Sequence, residues 1–266
     1  MSIVVITTIG ENKRFFINSL HKKTGGKIDL VIIQKKNPNQ KSFLKGIWYL
    51  YKNVGALGLL KETYYSLLLR LRPSFRNALE YFRERSNRIS KDKGYLPKTL
   101  EVNDVNSDEV FNVLEKLSPK LMLVWGNTIL KPRIIKTSEK VINLHMGLCP
   151  YYRGAVANQY AVIGKHLRDI GATIHYVEEE VDSGDILKVI TASKTGYPRE
   201  LFRDLNDKAE DAYLDISYKL FLNQDLPRQK QDMSLGRNYM LKDWMPSVRY
   251  RLAGQIIRWE KTGVLK

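Results

Sequence analysis

Val141-Ile142-Asn143-Leu144-His145 is an apolar run that carries two polar side chains near its end. Side chains alternate along a strand with a period of two, so Asn143 and His145 would share one face. Open α/β sheets bind their ligands at the carboxyl ends of their strands. An amide and an imidazole in this position therefore predict a functional site at the end of a buried strand.

A second segment, Val181-Asp182-Ser183-Gly184-Asp185-Ile186-Leu187, supplies a carboxylate from a predicted tight turn. We expect Gly184 to adopt the backbone angles that other residues avoid. Asp182 would then converge with the amide and the imidazole of the strand. Spacing alone does not separate Asp182 from Asp185.

An amide, an imidazole and a carboxylate suit acyl transfer to an amine, which is its own nucleophile and needs no activated serine or cysteine. N–H donors aimed at the developing oxyanion would stabilise it by roughly 3–4 kcal/mol each. His145 would be such a donor. Asp182 would move the proton of the amine, directly or through one water, and would favour the charged imidazole.

The stretch from Val124 to Leu187 resembles the folate-dependent formyltransferase family, which includes glycinamide ribonucleotide transformylase, methionyl-tRNA formyltransferase and the sugar N-formyltransferases. The resemblance rests on five ordered segments: Trp125-Gly126-Asn127-Thr128-Ile129-Leu130-Lys131-Pro132, Ile142-Asn143-Leu144-His145, Leu148-Cys149-Pro150-Tyr151-Tyr152-Arg153-Gly154, Gly171-Ala172-Thr173-Ile174-His175 and Val181-Asp182-Ser183-Gly184-Asp185-Ile186-Leu187. It implies that Asn143, His145 and Asp182 are catalytic. It also implies that 10-formyltetrahydrofolate is the formyl donor and that no metal takes part. The implied donor-binding residues are Asn127, Thr128, Ile129, Leu130 and Gly184.

The acceptor implied by the resemblance is the amine of a nucleotide-linked amino sugar. The run Leu148–Gly154 is more similar to formyltransferases of surface-polysaccharide biosynthesis than to the purine enzyme. Tyr152, Arg153 and Asn158 are the candidates for contact with this acceptor. The turn Thr7–Lys13 lacks the glycine-rich phosphate loop of the purine enzyme, which argues against a glycinamide ribonucleotide substrate.

Alternating strand and helix patterns predict an α/β fold with a mostly parallel, twisted, Rossmann-like sheet. The predicted strands are Ile3–Thr8, Ile28–Gln34, Leu100–Val102, Leu121–Trp125, Lys140–His145, Ala172–Val177 and Ile186–Thr191. The predicted helices are Lys13–Lys22, Ser107–Leu117, Ala155–Gly164, Glu200–Phe221 and Arg249–Lys261. We expect residues 1–205 to form the catalytic core, with a basic helical insertion at about 40–95, and residues 206–266 to form a short C-terminal helical extension.

The net charge of +16 is concentrated outside these motifs. Residues 41–93 contain 12 Lys or Arg against 4 Asp or Glu, and their apolar positions recur at helical spacing. Three interpretations stay open: a solvated basic face, a site for an anionic acceptor, or a surface for a bilayer or RNA. The longest apolar piece, Val54–Leu60, is far shorter than a membrane span.

Composition sets the remaining expectations. With 266 residues and 43% hydrophobic content, the chain can bury a full core. The single cysteine, Cys149, excludes an internal disulfide and is expected to be a buried thiol. A strand at the start of the chain in place of a signal peptide indicates a cytoplasmic location. The last forty residues are too short for the separate C-terminal domain of methionyl-tRNA formyltransferases, which disfavours a tRNA acceptor.

Several alternatives remain at this stage. The same three side chains could release formate from the donor with water in place of the amine, or could formylate methionyl-tRNA. A non-enzymatic alternative is an RNA- or membrane-binding protein on a relic core. Nucleic acid is not favoured as a partner, whereas peripheral membrane contact and a homodimer stay open. His175 is expected to be a satisfied core or rim residue, with contact to the acceptor as the alternative.

Overall fold

The computed structural model describes residues 2–35, 43–80, 88–126, 128–193 and 196–265. In this part of the chain the strands are β1 (Ile3–Thr8), β2 (Ile28–Gln34), β3 (Thr99–Val102), β4 (Leu121–Trp125), β5 (Lys140–His145), β6 (Tyr152–Gly154), β7 (Gly171–Tyr176), β8 (Ile186–Thr191) and β9 (Arg237–Tyr239). The α-helices are α1 (Glu11–Lys23), α2 (Phe43–Leu71), α3 (Pro73–Ala78), α4 (Asp108–Leu117), α5 (Pro132–Ile135), α6 (Ala157–Ile163), α7 (Pro198–Phe221) and α8 (Pro246–Thr262).

Seven of these strands form one sheet in the order β3-β2-β1-β4-β5-β7-β8. The neighbours from β3 to β5 are parallel, whereas β7 is antiparallel to both β5 and β8. The mostly parallel α/β fold is therefore confirmed. Because β2 and β4 flank β1 on opposite sides, the loops after β1 and β4 diverge at the carboxyl edge of the sheet, where open sheets have their ligand crevice.

The central strand β1 is buried on both faces, as parallel strands between helical layers are. Ile3 and Val5 pack into the cluster that includes α1 and α7, whereas Val4 and Ile6 pack into the cluster that includes α4. The helix α4 begins as predicted, because the Ser107 hydroxyl accepts a hydrogen bond from the Val110 N–H.

The helix α7 runs without interruption across residue 205, where we expected the core to end. Its residue Tyr213 is fully buried, and the phenol oxygen lies 3.0 Å from both the N and the O of Val124 and 3.1 Å from the O of Ile142. One hydroxyl thereby links β4 to β5. The second half of α7 is packed on the sheet beside the strand that carries Asn143.

The helices α2 and α3 pack against α8. Glu62 of α2 is buried and accepts hydrogen bonds from the N–H and the hydroxyl of Ser247, at 2.8 and 2.7 Å. The Tyr250 ring stacks on Phe75 of α3, with ring centroids 4.6 Å apart. α2 is kinked at Gly55, where φ is 70°. Among the described residues, no helix has both the length and the apolarity needed to cross a bilayer.

Candidate active site

The end of β5 places Asn143 and His145 on one face of the sheet. Asn143 lies beside Val124 of the parallel strand β4 and opposite His175 of the antiparallel strand β7. The imidazole of His175 thus joins the cluster directly from the neighbouring strand. The antiparallel register sets His175 opposite Asn143, and β7 ends one residue later, where the segment that leads to the Asp182 turn begins.

The carboxylate of Asp182 lies at the centre of the cluster. Its Oδ2 is 3.4 Å from His145 Nδ1, and its Oδ1 is 3.4 Å from His175 Nε2. Oδ2 also accepts a hydrogen bond of 2.8 Å from the Gly154 N–H of β6. Asn143 Nδ2 is 3.5 Å from Oδ1. The structure therefore brings together the three side chains that the sequence singled out, and it adds His175.

The turn that carries Asp182 differs from our expectation about Gly184. The left-handed residue is Asp182 itself, with φ of 52°, and Gly184 is not among the residues with positive φ. Glycine is needed at 184 because a Cβ there would lie 2.1 Å from the carbonyl oxygen of Tyr176. The Gln231 side-chain amide donates to the carbonyls of Asp182 and Gly184, at 3.0 and 2.6 Å, and holds the turn against the sheet.

Both ring nitrogens of His145 face acceptors. Its Nε2 lies 2.9 Å from the carbonyl oxygen of Tyr152, which can only accept a hydrogen bond, so Nε2 carries a proton. Its Nδ1 faces the Asp182 carboxylate, and the side chain is 8% exposed. Contacts at both ring nitrogens fix the orientation of the ring.

The ionisation of Asp182 is set by two opposing effects. Burial on its own would raise the pKa of the carboxyl, but His145, His175 and the Gly154 N–H outweigh it, so the pKa lies well below its ordinary value. Asp182 is therefore an anion at neutral pH. In the described ranges, no group of three or more His, Cys, Asp or Glu side chains is arranged so that it could hold a metal ion.

The loop after β4 contains the predicted donor-binding residues Thr128, Ile129 and Leu130, whereas Asn127 lies outside the described residues. Gln34 and Asn106 brace this loop. The Gln34 side-chain oxygen accepts from the Thr128 N–H at 3.0 Å, and the Asn106 side chain bonds the Ile129 carbonyl and the Lys131 N–H at 3.0 and 2.7 Å. Leu130 is buried beneath the loop, and the Ile129 side chain is 68% exposed.

The three predicted acceptor residues have different surroundings. Tyr152 donates from its hydroxyl to Asp169 Oδ2 at 3.0 Å, and burial followed by this hydrogen bond raises the pKa of its phenol far above the ordinary value. Arg153 is buried, with NH1 3.6 Å from Glu180 Oε1. Asn158 uses both polar atoms of its side chain on the backbone of Gly171, at 2.9 and 3.0 Å. That pair fastens α6 to the start of β7, which is a structural role.

A surface cleft of about 280 Å³ has Tyr152 in its lining. Its lining residues are Tyr151, Tyr152, Asp169, Gly236, Arg237 and Tyr239. The Tyr152 and Tyr239 rings stack with centroids 5.6 Å apart, and Arg237 lies over the Tyr239 ring. Of these lining residues, Tyr152 also contacts the cluster, because its backbone oxygen lies 2.9 Å from His145 Nε2.

Cys149 does not have the environment of a nucleophile. It is buried, and burial raises the pKa of its thiol far above the ordinary value, with the nearby Asp182 charge acting in the same direction. The thiol therefore stays protonated at neutral pH.

Sequence reasoning missed the residues that support the site. Gln231 lies in the segment after α7, which has no recognisable motif, and β9 in the same segment pairs with β6. Gln34 is the last residue of β2, and Asn106 lies shortly after the end of β3. Their position at the carboxyl edge of the sheet is the sequence feature that could have identified them. His175 lies in one of the segments that carry the family resemblance, but only the antiparallel register reveals its contact with Asp182.

Comparison with curated proteins gives partial matches. A methionyl-tRNA formyltransferase of Desulfotalea psychrophila is 31% identical over 166 residues, which are 59% of this chain and 50% of that protein. One of Finegoldia magna is 34% identical over 88 residues, or 32% of this chain and 28% of that protein. The chain thus spans half or less of the length of these relatives.

Comparison with solved structures extends along most of the chain. A sugar N-formyltransferase from Shewanella sp. superposes with a TM-score of 0.56 at 17% identity, covering 95% of this chain and 88% of that one. A phosphoribosylglycinamide formyltransferase from Bacillus halodurans gives a TM-score of 0.51 at 16% identity, covering 83% and 95%. A sugar 3N-formyl transferase solved in the presence of dTDP and 5-N-formyl-THF gives 0.56 at 14% identity, covering 97% and 81%. At sequence identities this low, the similarity to these three structures shows a shared fold only.

The family model described as formyl transferase matches residues 72–214, which are more than half of the chain and include β5, β7 and the Asp182 turn. On this match, and with the same fold in solved formyltransferases, the chain belongs to the formyl transferase family.

Proposed function

We propose that the protein is an N-formyltransferase that moves the formyl group of 10-formyltetrahydrofolate to the amine of a nucleotide-linked amino sugar. The observation that carries the proposal is the convergence of Asn143, His145 and Asp182 at the carboxyl end of β5, with 3.4 Å between the imidazole and the carboxylate. The family match supports the reaction class.

In this proposal Asn143 donates to the developing oxyanion. Both contacts of its Nδ2 are long, 3.4 Å to His175 Nε2 and 3.5 Å to Asp182 Oδ1, so its N–H donors are the least committed in the cluster. His145, whose ring is oriented by the carboxylate and the Tyr152 carbonyl, stabilises the same negative charge.

Asp182 accepts the proton that the attacking amine loses as the new C–N bond forms. A proton returns to the donor nitrogen as its bond to the formyl carbon breaks and tetrahydrofolate departs. Its carboxylate is ionised at neutral pH because the two histidines lower its pKa. The side chain is 12% exposed, which leaves room for a proton to pass directly or through one water. His175 would orient the carboxylate, since its Nδ1 is fixed by a 2.7 Å hydrogen bond to the Tyr176 carbonyl.

The donor supplies the activated one-carbon unit, and the loop at 128–130 fits its pteridine. Gln34 and Asn106 fix the ends of this loop, so that its backbone is presented in one conformation beside the strand of Asn143. The exposed Ile129 side chain offers an apolar contact for a flat ring. Thr128, Ile129 and Leu130, with Asn127 and Gly184, remain the residues that we propose for the donor.

The cleft beside Tyr152 suits the acceptor. Arg237 is two-thirds exposed and offers a guanidinium to a diphosphate, and the Tyr151 and Tyr239 rings offer surfaces to a base or a sugar. Tyr152 lines this cleft and its backbone oxygen contacts His145, which supports an approach of the amine to the cluster from the cleft. Arg153, the next residue of β6, is proposed as a further contact for the acceptor. For Asn158, the hydrogen bonds to Gly171 favour a structural role.

A second candidate is methionyl-tRNA formylation. The curated relatives carry that name, and the net charge of +16 favours polyanions. The two candidates differ in the acceptor and share the donor and the catalytic cluster.

The test is to incubate the purified protein with formyl-labelled 10-formyltetrahydrofolate and each of three additions: a panel of nucleotide-linked amino sugars, methionyl-tRNA, or no acceptor. We expect an amino sugar to gain one labelled formyl group by mass spectrometry. Labelled methionyl-tRNA would favour the second candidate, and labelled formate without any acceptor would favour a hydrolase. No loss of label from the donor in any arm would overturn the proposal. An Asn143→Ala variant is the control for label transferred without the protein's catalysis.

A further inference from the structure

The outer face of α2 presents an unbroken apolar stripe. Five large side chains, each at least 53% exposed, follow one another at alternating intervals of three and four residues along the second half of the helix. They are Leu57, Leu60, Tyr64, Leu67 and Leu71. This spacing aligns side chains on one side of a helix. Trp48 and Tyr51, also exposed, add two aromatic rings on the first half of α2.

The orientation of this stripe is fixed by the opposite face of the helix. Glu62 and Leu69 are buried, and Glu62 is bonded to Ser247 at the start of α8. Tyr65 contacts the Tyr250 ring, with centroids 5.3 Å apart. Because α8 holds the inner face, rotating α2 to bury the stripe would break these contacts. The stripe is therefore held outward.

Positive charge surrounds the stripe. Between residues 43 and 79 the sequence contains one carboxylate, Glu62, and that side chain is buried against α8. The exposed cations on α2, α3 and their junction are Lys52, Lys61, Arg70, Arg72 and Arg76. An apolar band of leucine and aromatic rings, bordered by lysine and arginine, is the pattern of helices that lie in the interface of an anionic bilayer. Tryptophan and tyrosine are the side chains enriched at that depth.

We propose that α2 docks the protein on the surface of a bilayer that contains anionic lipid, with Leu57, Leu60 and Leu67 in the acyl boundary and the flanking cations at the headgroups. The charge favours this partner over a second copy of the chain, because pairing two such stripes would bring two sets of uncompensated cations together. The leucines favour it over RNA, because aliphatic side chains neither pair with phosphates nor stack on bases as aromatic rings do. This inference goes beyond the proposed reaction and does not depend on it.

The test uses the full chain and vesicles, without donor or acceptor, so that its result is separate from that of the activity assay. Co-sedimentation is measured with vesicles of phosphatidylcholine alone and with vesicles that also contain phosphatidylglycerol. We expect binding to the anionic vesicles and its weakening as salt is added. Changing Leu57, Leu60 and Leu67 together to serine should lower the partition coefficient at least about tenfold, because three leucines would no longer leave water. A single Lys61→Glu change should lower it about fivefold or more.

The matched control is the pair Leu117→Ser and Leu222→Ser, which alters exposed leucines outside α2 and should leave vesicle binding unchanged. Circular dichroism of each variant checks that the fold is kept, which is expected because the altered side chains are exposed. Absence of binding to anionic vesicles would overturn the proposal. So would a dimer by light scattering that the triple serine variant dissociates, or salt-dependent RNA binding that the same variant abolishes.

Discussion

Replacing Asp182 by asparagine removes the negative charge from the cluster while keeping the shape of the side chain. Asparagine adopts the left-handed backbone region at least as readily as aspartate, so the φ of 52° should be kept. Its side-chain oxygen can still accept from the Gly154 N–H, which is 2.8 Å from Oδ2 in the wild type. What is lost is the charge-assisted contact with His145 and His175. The variant therefore isolates the carboxylate's charge.

The expected loss in kcat is at least about 100-fold, because a positioned proton acceptor contributes roughly 10²–10⁴-fold to a rate. The free energy of unfolding should fall by about 1.5–3 kcal/mol at pH 7, the range for a hydrogen bond to a charged group. An Asp182→Ala variant should lose about 1–2 kcal/mol more, because alanine is strained in the left-handed region. Turnover is measured by chromatography of the formylated acceptor, and stability by urea titration.

The pH dependence of this stability difference follows from the lowered pKa of Asp182. A carboxyl whose pKa is lower in the folded state stabilises the protein fully above its unfolded pKa of about 3.9 and progressively less below it. The gap between wild type and Asp182→Asn should therefore be constant from pH 7 to about pH 5 and shrink below pH 4. Asp185→Asn is the matched control and should be near wild type in rate. A rate for Asp182→Asn within tenfold of wild type would refute the reasoning.

Other substitutions test the supports of the cluster. Tyr213→Phe removes the buried hydroxyl that contacts Val124 and Ile142, so it should lower the free energy of unfolding by about 1–3 kcal/mol, measured by urea titration; an unchanged midpoint would contradict this. Gly184→Ala puts a Cβ 2.1 Å from the Tyr176 carbonyl oxygen and should therefore displace the Asp182 turn and lower kcat. A kcat equal to that of the wild type would show that the turn can accommodate a Cβ. Native protein should resist alkylation by iodoacetamide, because burial keeps the Cys149 thiol protonated, and Cys149→Ser should keep kcat; rapid inactivation would contradict it.

The sequence was sufficient to predict the ends of those strands that are determined by a local pattern of residues. The strands β1, β2, β4, β5 and β8 have the predicted ends, because each is an apolar run with polar or turn residues at its borders. The approach of Asn143 and His145 followed from the two-residue period of β5.

What could not be predicted depends on pairing between distant segments. The contact of His175 with Asp182 requires β7 to run antiparallel to β5, and no local pattern specifies that direction. The same holds for β9, which pairs with β6 from a segment 80 or more residues away. The expectation that Gly184 adopts a left-handed backbone angle was wrong for a related reason. Glycine is required at this position because the Tyr176 carbonyl of β7 leaves no space for a Cβ, whereas the left-handed angle occurs at Asp182.

The active-site assignment is tested most directly by a crystal structure of the protein with 5-formyltetrahydrofolate. We predict that the pteridine contacts the loop at 128–130 and that the formyl group lies within reach of Asn143 Nδ2 and the His145 ring. A folate bound elsewhere, with the cluster of Asn143, His145 and Asp182 remote from its one-carbon group, would contradict the assignment.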